Sequence, residues 1–147
     1  MGQDPSLRSR ALKLVARREY SRRELHARLA PHSENPEELE RLLDEFERDG
    51  WVSEKRLVEA LVHTRRSRYG SVRVLHELKD KGVSEDGLAH AKRALAAGEL
   101  EAARTIWRKK FGRLPASAAE RARQARFLAG RGFSQEVVYQ VLKGRDG

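Results

Sequence analysis

An all-α fold built from tandem helical repeats is expected from three features of the sequence. First, one phrase recurs. A helical pattern ending in a basic-Gly-hydrophobic-Ser break is written as Leu78-Lys79-Asp80-Lys81-Gly82-Val83-Ser84 and again, 50 residues on, as Leu128-Ala129-Gly130-Arg131-Gly132-Phe133-Ser134. An earlier copy, Ser21 to Leu29, lies 49 residues upstream of Leu78, with its break replaced by Pro31-His32-Ser33-Glu34-Asn35-Pro36. A fixed period of about fifty residues marks one supersecondary unit repeated along the chain. Second, apolar residues recur at helical spacing through nearly the whole sequence. Third, no segment alternates apolar and polar residues cleanly enough to be a strand.

Each element follows from its own residues. Leu7, Ala11, Leu14 and Val15 form the apolar stripe of the first helix, with Arg10, Lys13 and Arg17 on its side. Ser21 with Glu24 three residues on is a capping box that starts the second helix, with Leu25 and Leu29 inward. Pro36 in a first turn opens the third, whose stripe is Leu39, Leu42, Leu43 and Phe46 and whose stop is Gly50. Ser53 caps the fourth over Leu57, Val58, Leu61 and Val62. Tyr69-Gly70 breaks the chain, Ser71 is expected to cap the fifth helix, with Val74, Leu75 and Leu78, and Gly82 ends it. Ser84 caps the sixth, carrying Leu88, Ala91 and Leu95 toward Gly98. The last unit places Ala103, Ile106 and Trp107 on its first helix and Phe127 and Leu128 on its second, and Ser134 caps a third with Val137, Val138, Val141 and Leu142.

Nine helices in three triplets result, divided as 6–52, 53–97 and 98–147. Residues 1–5, Met1-Gly2-Gln3-Asp4-Pro5, carry an acid and no apolar run, so they read as a disordered N-terminus and not as a signal peptide. No run of about eighteen apolar residues is present to span a bilayer. The chain has no cysteine, which excludes disulfides and thiolate metal sites and suits a reducing, cytoplasmic compartment.

Charge narrows the function. Lys and Arg total 31 against 22 acids, for a formal charge of +9 and a pI near 10.3. A polyanion or an acidic protein surface is the natural partner of that field. Arg outnumbers Lys 23 to 8, which composition alone can produce, but the charge is blocked and not spread. Arg8 to Arg28 holds eight cations and two acids, Glu34 to Asp49 inverts the balance, and basic residues return at Arg65 to Arg73 and at Arg104 to Arg126.

Enzyme chemistry finds little support. The histidines at 26, 32, 63, 76 and 90 include no i, i+4 pair that would put two imidazoles on one helical face for a metal, and each reads as a surface or boundary residue. The carboxylates of Glu34 to Asp49 sit opposite an apolar face, as a solvated helix surface does. Gly130-Arg131-Gly132 is a helix stop in register with Gly82 and not a phosphate loop. No catalytic residue, metal or cofactor is therefore expected. The candidate contacts are instead Arg10, Lys13, Arg17, Arg22 and Arg23 in the first unit, Arg65, Arg66, Arg68 and Arg73 in the second, and Arg108, Lys109, Lys110 and Arg113 in the third. Each alone reads as a solvated charge; collectively they are the expected contact surface. Tyr69, like Tyr20 at the equivalent place 49 residues earlier, is expected mainly to pack against the next unit, with stacking on a base or a partner side chain as a second role. Trp51 and Trp107 are expected to be core anchors.

The succession Arg17-Arg18-Glu19-Tyr20-Ser21-Arg22-Arg23-Glu24-Leu25, Asp49-Gly50-Trp51-Val52-Ser53, Arg65 to Leu78 with Glu77-Leu78-Lys79-Asp80-Lys81-Gly82-Val83, and Phe127-Leu128-Ala129-Gly130-Arg131-Gly132-Phe133-Ser134 resembles that of RecX proteins, bacterial regulators of the RecA recombinase. The resemblance runs from about Leu7 to Leu142, and its specificity lies in order, spacing and threefold recurrence. It implies an elongated curved array of three tandem three-helix repeats, cytoplasmic and monomeric. Such a protein would bind RecA and the RecA-DNA filament in DNA repair and the SOS response, mostly inhibiting ATPase, recombinase and coprotease activity. DNA itself, single- or double-stranded, is a further candidate partner. The rival reading is a helix-turn-helix DNA-binding regulator with Ser84 to Leu95 as recognition helix. Glu85 and Asp86 in that helix's first turn oppose it, because reading bases calls for donors such as Arg or Asn.

Overall fold

A computed structural model describes residues 6–144; the expectation for residues 1–5 lies outside them. Among the described residues there are nine α-helices and no strand: α1 (Leu7–Val15), α2 (Arg22–Leu29), α3 (Pro36–Arg48), α4 (Glu54–Arg65), α5 (Ser71–Asp80), α6 (Glu85–Ala96), α7 (Glu99–Lys110), α8 (Ala118–Gly130) and α9 (Gln135–Lys143). A single 3-10 turn, Ala30–His32, carries the chain out of α2.

Local chemistry sets most boundaries. Ser53, Ser84 and Ser134 each accept a backbone N–H from the first turn of α4, α6 and α9, satisfying a donor the helix cannot use itself. Ser21 and Glu24 form both bonds of the capping box at α2. Ser117, with Glu120 three positions on, caps α8, a start that was not among the expected ones. The fifth helix is a correction: its N-cap is Gly70, without a side-chain bond, and Ser71 sits one position inside. The Ser71 N–H and hydroxyl both donate to Glu99 Oε1 at 2.9 Å, so a carboxylate from α7 takes the place of a local cap.

The buried residues form three clusters, one per triplet. Ala11, Leu25, Leu29, Leu43 and Phe46 centre the first, Val58, Val74, Leu78 and Ala91 the second, and Ala103, Leu128, Phe133 and Val141 the third. Leu29, Leu78 and Leu128, equivalent in the repeat, are all 0 % exposed. In the second and third triplets the first and third helices pack closely, α4 on α6 and α7 on α9, whereas α1 packs chiefly on α2. Trp51 corrects another expectation. It lies 45 % exposed, tilted against Phe46 at 6.3 Å, and only Trp107 is anchored, its Nε1 donating to the buried Gln124 at 2.8 Å.

The two junctions between triplets differ. At the second, the Gly70 N–H donates to the Arg131 carbonyl at 2.8 Å and the Val72 N–H to the Gly132 carbonyl at 3.0 Å. Gly70 and Gly132 are both buried there, so backbone meets backbone. At the first, the residue in the place of Gly70 is Ser21, whose N–H turns back to Glu24 Oε1. Side chains make that junction instead. Lys81 Nζ donates to Glu24 Oε2 at 2.8 Å, Arg56 pairs with Glu19, and Arg23 donates to the Asp80 carbonyl at 3.4 Å.

Candidate functional site

The structure sorts the candidate cations into those engaged within the chain and those without a partner. In the first triplet Arg22 faces the acidic stripe of α3 and pairs with Glu40, Asp44 and Glu47 at 2.7 to 2.8 Å. Glu47 raises the guanidinium above its ordinary pKa against the opposing effect of burial, and Asp44 and Glu40 add to it. Arg22 therefore ties α2 to α3. Arg23 lies over the exposed Gly82 at the first junction.

In the second triplet Arg65 donates through Nε and Nη2 to the two oxygens of Glu77, both at 3.1 Å, and that carboxylate raises its pKa. A planar guanidinium fork matched to a carboxylate is the strongest geometry available to such a pair. Arg66 donates to the Ala97 carbonyl at 2.6 Å, satisfying a backbone acceptor at the end of α6. Arg73 lies 4.0 Å over the half-buried Tyr69 ring, as Arg18 lies 3.7 Å over the buried Tyr20. Both tyrosines thus present a face already covered by a cation. Of the four candidates in this unit, only Arg68 offers an exposed guanidinium without a partner among the described residues. In the third triplet Arg108 and Lys109 are exposed in the last turn of α7, Lys110 lies 5.5 Å over Phe127, and Arg113 is exposed just beyond.

The remaining candidates converge. Arg10, Lys13 and Arg17 line one wall of an open groove of about 240 Å³ whose other wall is the end of α2 and the turn after it. Arg28 and His32 stand there, over Leu14 and Leu29. No carboxylate lines it, and none of these five basic side chains makes a hydrogen bond or ion pair within the described residues. Arg28 and His32 were not among the sequence candidates. They lie 18 and 22 positions from Arg10, so no helical periodicity links them to the stripe of α1.

One of the links at the first junction is the Glu24 carboxylate, which accepts from Lys81. Burial alone would raise the pKa of Glu24, but hydrogen bonds from Lys81, the Ser21 N–H and Arg18 outweigh it and hold it below the ordinary 4.5. A depressed carboxylate stabilises the fold above its unfolded pKa, and that contribution is lost as pH falls through the lower folded value. Acid unfolding should therefore have a component below about pH 4.5 that Glu24→Gln removes. A pH-denaturation profile unchanged by that substitution would show that the junction does not rely on Glu24.

Among the described residues no group of three or more His, Asp or Glu side chains is placed to hold a metal, and no helix is long and apolar enough to cross a membrane. Two family models match the chain: "RecX, second three-helix domain" over residues 53–91 and "RecX, third three-helix domain" over 97–142. The sequence is 47 % identical to "Regulatory protein RecX" of Ralstonia nicotianae over 141 residues, covering 96 % of this chain and 89 % of that one. It is 50 % identical to the protein of the same name from Leptothrix cholodnii, covering 96 % and 90 %. Among solved structures, that of RecX from Lactobacillus salivarius is similar in fold, with a TM-score of 0.78 at 14 % identity over 93 % of this chain and 92 % of that one. A second crystal structure of regulatory protein RecX gives 0.79 at 16 % identity over 94 % and 72 %.

Proposed function

The chain belongs to the RecX family of regulatory proteins, and from that membership we propose that it binds the RecA recombinase and its filament on DNA and restrains the filament's activity. The observation that carries this reading is the identity to RecX regulators, which runs through all three triplets. The physical form supports it. Three separately cored units in series present cations from each unit, so weak contacts to successive filament subunits add as avidity. The protein acts by binding as a cytoplasmic monomer, and inhibition of RecA ATPase, strand exchange and coprotease activity follows from the occupied filament.

The test is direct. Added in small amounts to RecA on single-stranded DNA, the purified protein should lower the ATPase rate while hydrolysing no nucleotide alone. An unchanged rate at saturating protein would refute the proposal. The helix-turn-helix alternative is disfavoured by α6, whose first turn presents Glu85 and Asp86 where a phosphate or base edge would lie.

A further inference from the structure

The geometry points to the basic groove of the first triplet as a binding site for the phosphate backbone of nucleic acid, read without regard to base sequence. Four features carry this. The first is selection: Arg22, Arg23, Arg65 and Arg66 are held by acids or carbonyls of the chain itself, whereas Arg10, Lys13, Arg17, Arg28 and His32 are gathered in one concavity without an acid among them. Like charges so arranged repel one another, and no carboxylate lines the groove to offset it. Helix dipoles account for Lys13 and Arg28, which lie in last turns, but not for Arg10 in the middle of α1.

The second feature is spacing. Arg10, Lys13 and Arg17 recur at i, i+3 and i+7 and so run about 10 Å along one side of α1 and its end. A row of that length reaches more than one phosphate of a strand, and Arg28 and His32 close on it from the opposite wall. The third is chemistry: guanidinium forks match phosphate oxygens two at a time.

The fourth separates nucleic acid from an acidic protein. Protein contacts draw most of their affinity from aromatic or apolar anchors seated in pockets. Among the described residues the exposed large apolar ones, Trp51, Val72, Leu114 and Tyr139, all lie outside this groove, whose apolar lining is the partly buried Leu14 and the buried Leu29. Attraction here is electrostatic, as it is for a phosphate backbone. The inference deepens the proposed function by assigning DNA contact to the first triplet, and it rests on that reading only for which nucleic acid is met.

The experiment needs no RecA, so it can fail independently of the regulatory reading. Binding of the full chain to fluorescein-labelled oligo(dT) is followed by anisotropy between about 50 and 200 mM salt. The triple variant Arg10→Gln, Arg17→Gln, Arg28→Gln should lower affinity roughly tenfold or more at the lower salt and reduce the slope of log K against log salt by about two, near 0.7 per lost contact. A matched variant, Lys55→Gln, Lys79→Gln, Lys92→Gln, removes the same charge from exposed positions of the second triplet and should do much less. Because the three groove arginines have no hydrogen-bond or ion-pair partner among the described residues, the melting temperature should hold; Lys13→Gln with His32→Gln serves as a second pair if it does not. Equal losses in the two triple variants, or no loss in the groove variant, would overturn the assignment. Unchanged DNA affinity in the folded groove variant would give the groove to an acidic protein surface instead.

Discussion

Gly132→Ala should cost about 2 to 5 kcal/mol and loosen the third triplet from the second. Gly132 has φ +94°, a left-handed conformation that costs any residue with a Cβ about 1 to 2 kcal/mol. A methyl group there would also lie 2.3 Å from Arg73 Cβ and 2.8 Å from its backbone nitrogen, too close for either to remain in place. The likewise buried Gly70 meets the same wall from the other side, and a Cβ on it would stand 2.5 Å from backbone atoms of Gly132 and Phe133. Separating them breaks two backbone hydrogen bonds, each worth about 0.5 to 1.5 kcal/mol net.

Gly50→Ala isolates the conformational share of that loss. Gly50 has φ +85° but nothing within 4 Å of a Cβ, so alanine there should cost only about 1 kcal/mol. Gly82, the counterpart of Gly132 at the first junction, faces only the flexible Arg23 side chain at 3.0 to 3.2 Å and should behave like Gly50. Thermal or urea denaturation of the three variants provides the check. If Gly132→Ala were no more damaging than Gly50→Ala, the backbone contact between the second and third triplets would not be a stabilising junction.

Leu78→Ala and Leu128→Ala should each cost about 2 to 5 kcal/mol. Both side chains are fully buried, in separate clusters, and each removal leaves a cavity that neighbours such as Val74 or Phe133 fill only in part. Since the two sites share no cluster, the double variant should lose close to the sum of the single losses if the chain unfolds as one cooperative unit. Two unfolding transitions, one shifted by each substitution, would show instead that the triplets melt separately. Stabilities within error of the parent for both variants would contradict the packing itself.

The structure also changes how the middle triplet should be probed. Reversing Arg65, Arg66 and Arg68 together would break the Arg65 fork on Glu77 and the Arg66 bond to the Ala97 carbonyl, so lost activity would be confounded with lost structure. Substituting Arg68 alone removes an exposed charge that has no partner among the described residues and is the cleaner change.

Helices, their stops and the residues that face inward are legible in the sequence alone. Ser21, Ser53, Ser84 and Ser134 act on N–H groups three positions away, Gly50, Gly82 and Gly132 act through their own φ, and apolar stripes repeat within one or two turns. All of these are local, so the pattern carries them. The fifth helix shows the limit: Ser71 looks like a cap, but its hydroxyl goes to Glu99, 28 positions on. Trp51 shows another, since an aromatic beside a core stripe is left half in solvent when no later element covers it. Charge shows it most plainly. Arg22 and Arg17 are indistinguishable along the chain, yet α3 folds its acids onto one and nothing onto the other. Long side chains find partners 12 to 57 positions away, at Arg65 and Glu77 or Glu24 and Lys81, and only the packing of helix on helix decides which cations are spent on the fold and which remain for a partner.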